Sequence, residues 1–304
     1  MVVLGQRLPE TWLAGCLIVF DFLALDEIPA ETLTRILERA VVLADCWRQR
    51  CMPRSLDGVR VGLIVDDGGW RNTTAFDLGI QTMGGICVNA PVTLGGKEDV
   101  ADLANYLDNW FDLLVVRTPD LSRLRALALA ARAPVVNART RSNHPCETLG
   151  DLAFVLSVRD RIEGLRVAVV APDDNILASW AEAAAVLPIE VVQVYPRHWH
   201  AKRFEGTQRF SMTEDLSALA GADVVITDCW PKDGPPDILG PYRLTAGLLR
   251  RLAPEALFIP CPPVTRGEEV SADAMERLTC RVVEAKAFLL HAQNALLEEI
   301  VSGR

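Results

Sequence analysis

Val59-Arg60-Val61-Gly62-Leu63-Ile64-Val65-Asp66-Asp67-Gly68-Gly69 is the stretch on which the fold turns. A run of apolar, partly β-branched residues stops at an acidic, glycine-rich turn. A segment with helical apolar spacing follows directly, through Thr73–Met83. Short apolar runs bounded by turn residues read as buried strands, and a strand feeding a helix is the first half of a βαβ unit. The same alternation recurs along the whole chain, the pattern of a parallel sheet covered by helices on both faces.

Working outward, a helix is predicted over Ala30–Arg50 ahead of that strand. After it come strand 86–88, helix 98–110, strand 112–117, helix 122–131 and strand 134–137. A polar loop, Arg139–Asn143, leads into a helix that starts near His144, ends near Val158 and bridges to a second half. There the unit restarts: strand 166–171, helix 175–186, strand 190–195, a helix near Met212–Leu219, strand 223–228, helix 244–252 and strand 256–260. A long amphipathic helix from about Ala285 to Val301 closes the chain. There is no internal repeat and no low-complexity segment.

The 304 residues suffice for two ordinary domains with full cores, and half of them are hydrophobic. The formal net charge is -9 and no Lys/Arg stripe is present, which argues against a nucleic-acid partner. Eight cysteines include no Cys-x-x-Cys pair, so neither a zinc site nor any other metal or cofactor is expected. The apolar run Leu13–Leu25 lacks a basic leader and is broken by Asp21; no secretory signal, no membrane span and a cytoplasmic location are expected.

In open parallel sheets, ligands bind beyond the carboxyl ends of the strands. The loops there are Asp66–Arg71, Asn137–His144, Asp173–Asn175, Asp228–Gly234 and Cys261–Arg266. None carries the Gly-x-Gly-x-x-Gly turn of a dinucleotide site: Val65 is followed by Asp-Asp-Gly-Gly-Trp and Val170 by Ala-Pro-Asp-Asp-Asn. His198-Trp199-His200 has a spacing that can bind metal, but with no carboxylate or cysteine at a fixed offset it reads as a solvated loop.

Six strings, in order, resemble the aspartate/ornithine carbamoyltransferase family over nearly the whole chain. Asn143-His144-Pro145-Cys146-Glu147 resembles its Asn/Phe-His-Pro-x-Gln, and Leu149-Gly150-Asp151-Leu152 continues that helix. Thr227-Asp228-Cys229-Trp230 resembles the Thr-Asp-x-Trp of ornithine-type members, and Pro260-Cys261-Pro262-Pro263 their His-Cys-Leu-Pro. Arg266-Gly267-Glu268-Glu269-Val270 matches Arg-Gly-x-Glu-Val, and His291-Ala292-Gln293 sits in the last helix as in the family. The resemblance implies two doubly wound parallel-sheet α/β domains joined by helices, with the C-terminal helix packing back on the N-terminal domain. Residues 1–147, completed by the helix 285–304, correspond to the donor domain, and 148–284 to the amino-acid domain. It also implies a homotrimer with active sites shared between subunits, Gly96-Lys97-Glu98 standing where the family reaches into a neighbouring site.

The family transfers a carbamoyl group from carbamoyl phosphate to an amine. That reaction needs fixed positive charge and a helix N-terminus for the phosphate, donors for the carbonyl oxygen, and an aligned neutral amine. By resemblance, Arg117, His144 and Cys261 are the catalytic candidates. Arg117 and His144 face the carbamoyl group and Cys261 stands near the amine. Trp70, Arg71, Asn72 and Thr73 form the phosphate loop. Asn175 and Asp228 hold the ends of an ornithine-like amino acid, with Glu147, Lys232, Asp233 and Pro262 beside them.

The sequence departs from the family pattern where phosphate would bind. Against Ser-x-Arg-Thr-Arg the loop reads Gly69-Trp70-Arg71-Asn72-Thr73; the glutamine is Glu147, the His of His-Cys-Leu-Pro is Pro260, and a late Arg aligns with Leu289. Two cations are missing, and Asp66, Asp67 and Glu147 are expected to pair with Arg71 and Arg117. Such a cleft suits a ureido- or guanidino-bearing ligand better than a dianion. Each lost charge-assisted hydrogen bond removes about 1.5–3 kcal/mol. Two functions follow: a diverged transferase of a carbamoyl or related group, to or from an ornithine-like side-chain amine, in a specialised pathway; or a catalytically silent paralogue that binds an amino acid or assembles with an active relative.

Simpler readings stand beside these roles. Cys261 can be a core thiol, Arg71 a solvated side chain and Arg117 a structural ion-pair partner. Asp173 and Asp174 can be helix caps, and His291 is read as structural.

Overall fold

The computed structural model describes residues 20–302; Cys16 and most of the Leu13–Leu25 run lie outside the described residues. The chain enters α1 (Ala30–Arg48), then alternates β1 (Arg60–Val65), α2 (Trp70–Thr82), β2 (Ile86–Ala90), α3 (Val100–Leu107), β3 (Leu113–Arg117), α4 (Leu121–Ala130) and β4 (Val135–Arg139). After α5 (Pro145–Arg159) come β5 (Arg166–Val170), α6 (Asn175–Val186), β6 (Glu190–Val194), β7 (Phe210–Thr213) and β8 (Val224–Thr227). The chain closes with α7 (Pro236–Leu239), α8 (Ala246–Leu252), β9 (Leu257–Pro260), α9 (Ala272–Met275) and α10 (Val282–Ser302).

All strand pairings are parallel. One sheet has the order β2-β1-β3-β4 and the other β7-β6-β5-β8-β9. The strand order reverses between β1 and β3 in the first sheet and between β5 and β8 in the second. Crevices open at such switch points, outside the carboxyl ends of the strands.

Alternation along the strands explains the layering. Val61 and Leu63 of β1, Leu113 and Val115 of β3, Val167 and Val169 of β5, and Val224 and Ile226 of β8 all enter one core. That core also takes in α1, α2, α5, α6 and α10 and runs across both sheets without a break. The opposite face of the first sheet packs on α3 and α4, and that of the second on α8 and the residues around it. Both faces of each sheet are therefore covered, which is why the central strands are apolar throughout.

The C-terminal helix packs back on the N-terminal half. It lies against α5, α1 and α2, and the crossing with α5 is tight: a Cβ on Gly150 would stand 3.1 Å from the Leu289 Cα. Arg39 bonds both carboxylate oxygens of Glu298 at 2.5 and 2.9 Å, joining α1 to α10.

One element differs from expectation. The helix predicted near Met212–Leu219 is an edge strand, β7, followed by a 3-10 turn, Leu216–Leu219. Met212, Leu216 and Leu219 have helical spacing, but pairing of Phe210–Thr213 with Val191–Val194 satisfies the backbone first, and Asp215 caps the turn. No helix among the described residues is long and apolar enough to cross a membrane.

Candidate active site

A cleft of about 400 Å³ opens where the two switch points face each other. The first sheet contributes Gly69 and Arg71 after β1, Arg117 at the end of β3, Arg139 and Arg141 at and beyond the end of β4, and His144 and Glu147 at the start of α5. The second contributes Asp174 and Asn175 after β5, Asp228 and Cys229 after β8, and Cys261, Pro262 and Pro263 after β9.

Arg117 is buried and folded over the turn between β1 and α2. Its Nε lies 2.9 Å from an Asp67 carboxylate oxygen and donates to the Gly68 carbonyl. The guanidinium covers Gly69 so closely that a Cβ there would fall 2.3 Å from its Cζ, at a φ of 144° that only glycine adopts freely. The other Asp67 oxygen takes Arg139 at 2.5 Å. Asp67 therefore bridges two arginines and offsets one of their two charges.

His144 opens α5 ahead of a proline at the first helical position, and its backbone N–H donates to Ser179 Oγ at 2.9 Å. Its ring is 3.7 Å from Glu147 through Nε2, and Nδ1 is buried without a hydrogen-bond partner. Burial is the main reason its pKa falls to about 4, with Arg117, Arg139 and Lys286 adding to the effect against Glu147. The ring is therefore neutral near pH 7.

Glu147 is held by Lys286 of α10, at 2.9 Å, and Lys286 also bonds both oxygens of Asp151 at 2.6 and 2.8 Å. Burial alone would depress the Lys286 pKa, but the two carboxylates outweigh it and keep the ammonium protonated. Burial likewise works to neutralise Glu147, and Lys286 and His144 outweigh it, so Glu147 stays ionised.

The acceptor side has a different economy. Asp174 caps α6, accepting from the N–H groups of Ile176 and Leu177 at 3.0 and 3.1 Å, and its side chain also hydrogen-bonds Asp228. Burial, then the Asp228 charge, raises the Asp174 pKa well above the usual carboxylate range, so Asp174 carries the proton the pair shares. No described cation forms an ion pair with either residue. Asn175 donates to the Thr140 carbonyl at 2.7 Å, joining the two sides. Burial, with Asp228 and Glu147 nearby, pushes the Cys261 thiol up, so it is a neutral wall of the cleft and not a thiolate.

Two family models match this chain: the aspartate/ornithine carbamoyltransferase carbamoyl-phosphate-binding domain over residues 21–157, and the Asp/Orn-binding domain over 163–300. The chain belongs to the aspartate/ornithine carbamoyltransferase family. It is 32% identical over 299 residues to an ornithine carbamoyltransferase of Rhodopseudomonas palustris, covering 91% of this chain and 95% of that protein. The structure of the Pyrococcus furiosus ornithine carbamoyltransferase superposes with a TM-score of 0.89 at 26% identity, over 95% of this chain and 99% of that one. The Burkholderia thailandensis enzyme gives 0.87 at 27%, over 93% and 99%. The likeness is thus to ornithine-type carbamoyltransferases.

Within this family fold, several residues named from sequence meet in the cleft: Arg71, Asn72, Arg117, His144, Glu147, Asn175, Asp228, Cys261 and Pro262. Four others do not line it. Trp70 is 67% exposed and lines a separate groove of about 830 Å³ between α1, α2, α5 and α10. The Thr73 hydroxyl turns back onto the Gly69 and Trp70 carbonyls. Lys232 and Asp233 are exposed on the loop after β8, outside the cleft lining. Among the described residues no group of His, Cys, Asp or Glu could hold a metal ion, and His200 Nε2 is instead 2.7 Å from the Tyr195 carbonyl oxygen. His291 packs edge-on against Trp47 and Phe288.

The expected electrostatics need correction. Asp66 faces away from the cleft, accepting from the Thr118 hydroxyl at 2.7 Å and from the Leu94 N–H at 3.3 Å. Glu147 pairs with Lys286 and not with Arg71 or Arg117. Arg71 stacks on Trp70 and makes no described ion pair, with its Cζ 5.0 Å from the ring centroid. The cleft also holds cations the sequence reading passed over, Arg139 and Arg141 on its wall and Lys286 behind Glu147. No motif marks Lys286 in the sequence; its role follows from α10 crossing α5, where it meets Glu147 and Asp151.

Proposed function

We propose that this chain transfers a carbamoyl or related group to or from the side-chain amine of an ornithine-like amino acid. The observation that carries this reading is the meeting of both switch-point loops in one cleft, with arginines and His144 on one wall and Asp228, Asn175 and Cys261 on the other. Residues 1–147 with the C-terminal helix serve the donor, and 148–284 the amino acid. The Asp174–Asp228 pair, with no cation of its own, suits an ammonium group. Among the described residues Arg71 and Arg141 are the cleft cations left without an ion pair, and they suit the leaving anion or a carboxylate. Holding both reactants in one cleft supplies much of the rate of a group transfer. The protein works as a cytoplasmic homotrimer in a specialised biosynthetic step.

One observation favours the silent reading: Arg117 and Arg139 are already tied to Asp67, which offsets one of their two charges. Calorimetry with ornithine and carbamoyl phosphate, followed by an assay for ureido product over a panel of side-chain amines, separates the two. Amino-acid binding with product from one member of the panel supports transfer. Amino-acid binding with no product from any supports the silent reading, and no binding at all removes transfer and leaves of the silent reading only assembly with an active relative. Citrulline formation from ornithine and carbamoyl phosphate is expected to be very low; robust turnover would show that Thr73 and Leu289 matter less than supposed. Light scattering at micromolar concentration tests the trimer.

A further inference from the structure

Helix α1 ends in a turn whose hydrogen bonds fix which side chains meet. Gln49 is the capping residue, and Arg50 follows it in the left-handed region at a φ of 56°. The Arg50 N–H donates to the Trp47 carbonyl at 3.1 Å, and the Cys51 N–H to the Cys46 carbonyl at 2.9 Å. These are the paired bonds of a Schellman helix end, in which the residue after the left-handed position comes to lie against a residue of the last turn. Two apolar side chains commonly meet there. Here both are cysteines, Cys46 and Cys51, and their thiols hydrogen-bond. Cys51 is exposed and Cys46 half-buried, while Cys146 and Cys261 are buried. Burial pushes up the half-buried Cys87, Cys229 and Cys280 thiols, the first two to about 12, so none of them is a ready nucleophile near neutral pH. Among the described residues Cys51 is therefore the accessible thiol, and it has a second thiol in contact. Neither of the two lines the cleft.

We propose that Cys46 and Cys51 form a two-thiol exchange site, which reacts with a small-molecule disulfide and closes to an intramolecular disulfide. Cys51 gives up its proton and attacks one sulfur of the reagent. A bond forms from Cys51 Sγ to that half, and the other half leaves and takes up a proton as a free thiol. Cys46 then gives up its proton and attacks the Cys51 sulfur, the Cys46–Cys51 bond forms, and the second half of the reagent leaves as a thiol. The two cysteines are oxidised and the reagent is reduced to two thiols. Desolvation, and then the neighbouring Cys51, pushes the Cys46 thiol up, which gives Cys51 the first attack and Cys46 the second. The closed bond spans the helix end and fixes the last turn of α1. Trp47 lies in that turn and packs edge-on against His291 of α10, with ring centroids 6.1 Å apart. The pair thus ties the thiol–disulfide balance of its surroundings to the seam between α1 and α10.

The test is incubation of the folded full chain with oxidised glutathione, quenching with an alkylating reagent, tryptic digestion and mass spectrometry. Arg48 and Arg50 place cleavage sites between the two cysteines, so the closed form joins peptide 40–48 to peptide 51–54. That linked peptide, lighter by two hydrogens than its parts and free of glutathione, is expected as the main product at this site. Cys46→Ser is expected to stop with one glutathione on Cys51, and Cys51→Ser to leave Cys46 unmodified. Arg50→Val, whose branched side chain resists a positive φ, is expected to open the helix end and shift product from the linked peptide to the mixed disulfide. Wild-type protein that keeps glutathione on Cys51 and yields no linked peptide overturns the inference. So does modification of Cys46 in Cys51→Ser at the wild-type rate. An undiminished yield of linked peptide in folded Arg50→Val overturns it as well, since the helix end would not then set the contact. Should Arg50→Val not fold, the wild-type protein and the two serine variants decide between the same outcomes.

Discussion

The two walls of the cleft manage charge in opposite ways. On the first-sheet wall most ions share a partner: Asp67 lies between Arg117 and Arg139, and Lys286 between Glu147 and Asp151, while Arg71 and Arg141 form no ion pair among the described residues. On the second-sheet wall Asp174 and Asp228 have only each other and a shared proton. A saturated wall resists a new ion, because binding must break or crowd an existing pair. An unsaturated acidic wall attracts a cation. The second wall therefore suits an ammonium, and on the first only Arg71 and Arg141, among the described residues, are free to meet an anion.

The largest expected effect breaks the saturated wall. Lys286→Met leaves two buried carboxylates without their cation and should cost about 3–5 kcal/mol, read as a lower denaturant midpoint at unchanged m-value. The matching change on the other wall, Asp174→Asn, keeps a good helix cap and removes the need for a shared proton. It should gain about 0.5–2 kcal/mol. Because a raised carboxyl pKa gives stability that is lost as pH rises through it, this gain should grow toward high pH. Two losses of similar size would end the contrast.

Ligand binding sharpens it. Asp228→Asn should weaken an amino-acid ligand about 10–100-fold, the worth of one charge-assisted hydrogen bond, and leave orthophosphate binding unchanged. Equal weakening of both ligands in calorimetry would mean that the walls are not separate.

Acid gives a comparable stability effect from the first wall. The His144 pKa is lowered to about 4 from an ordinary value near 6.5. A histidine held neutral by burial contributes stability that is full above pH 6.5 and is lost as pH falls toward 4, here about 3 kcal/mol. His291, also lowered to about 4 chiefly by burial, adds to the same window. In His144→Gln the fall in stability between pH 6.5 and 4 should be smaller; an unchanged slope would rule the histidine out as its source.

The smallest change tests packing alone. Gly69→Ala sets a Cβ against the Arg117 guanidinium at a backbone angle unsuited to alanine and should cost about 1–3 kcal/mol. In Arg117→Ala the angle still costs but the collision is gone, so the two effects should be less than additive.

Most of the fold was legible because the apolar runs 59–65, 113–117 and 166–170 end at unmistakable turns. The edge strand was not, because Phe210–Thr213 is half buried and its neighbours mimic a helix. In the cleft, residues adjacent to a recognisable string, such as His144, Asp228 and Cys261, could be placed from sequence. Lys286 could not, because its meaning comes from α10 crossing α5 more than a hundred residues away in the chain. Asp66 and Asp67 are neighbours in sequence yet face different partners, since adjacent residues at a strand end turn to opposite sides.

The continuous core has a consequence for biosynthesis. Helix α10 follows both sheets in the chain, yet it covers α1, α2 and α5 of the first half. During translation the leading half emerges first and must wait, with the apolar face that will meet Leu289, Leu296 and Ile300 still bare, until the final stretch leaves the ribosome. A nascent chain arrested before residue 282 is a natural client for a holdase chaperone.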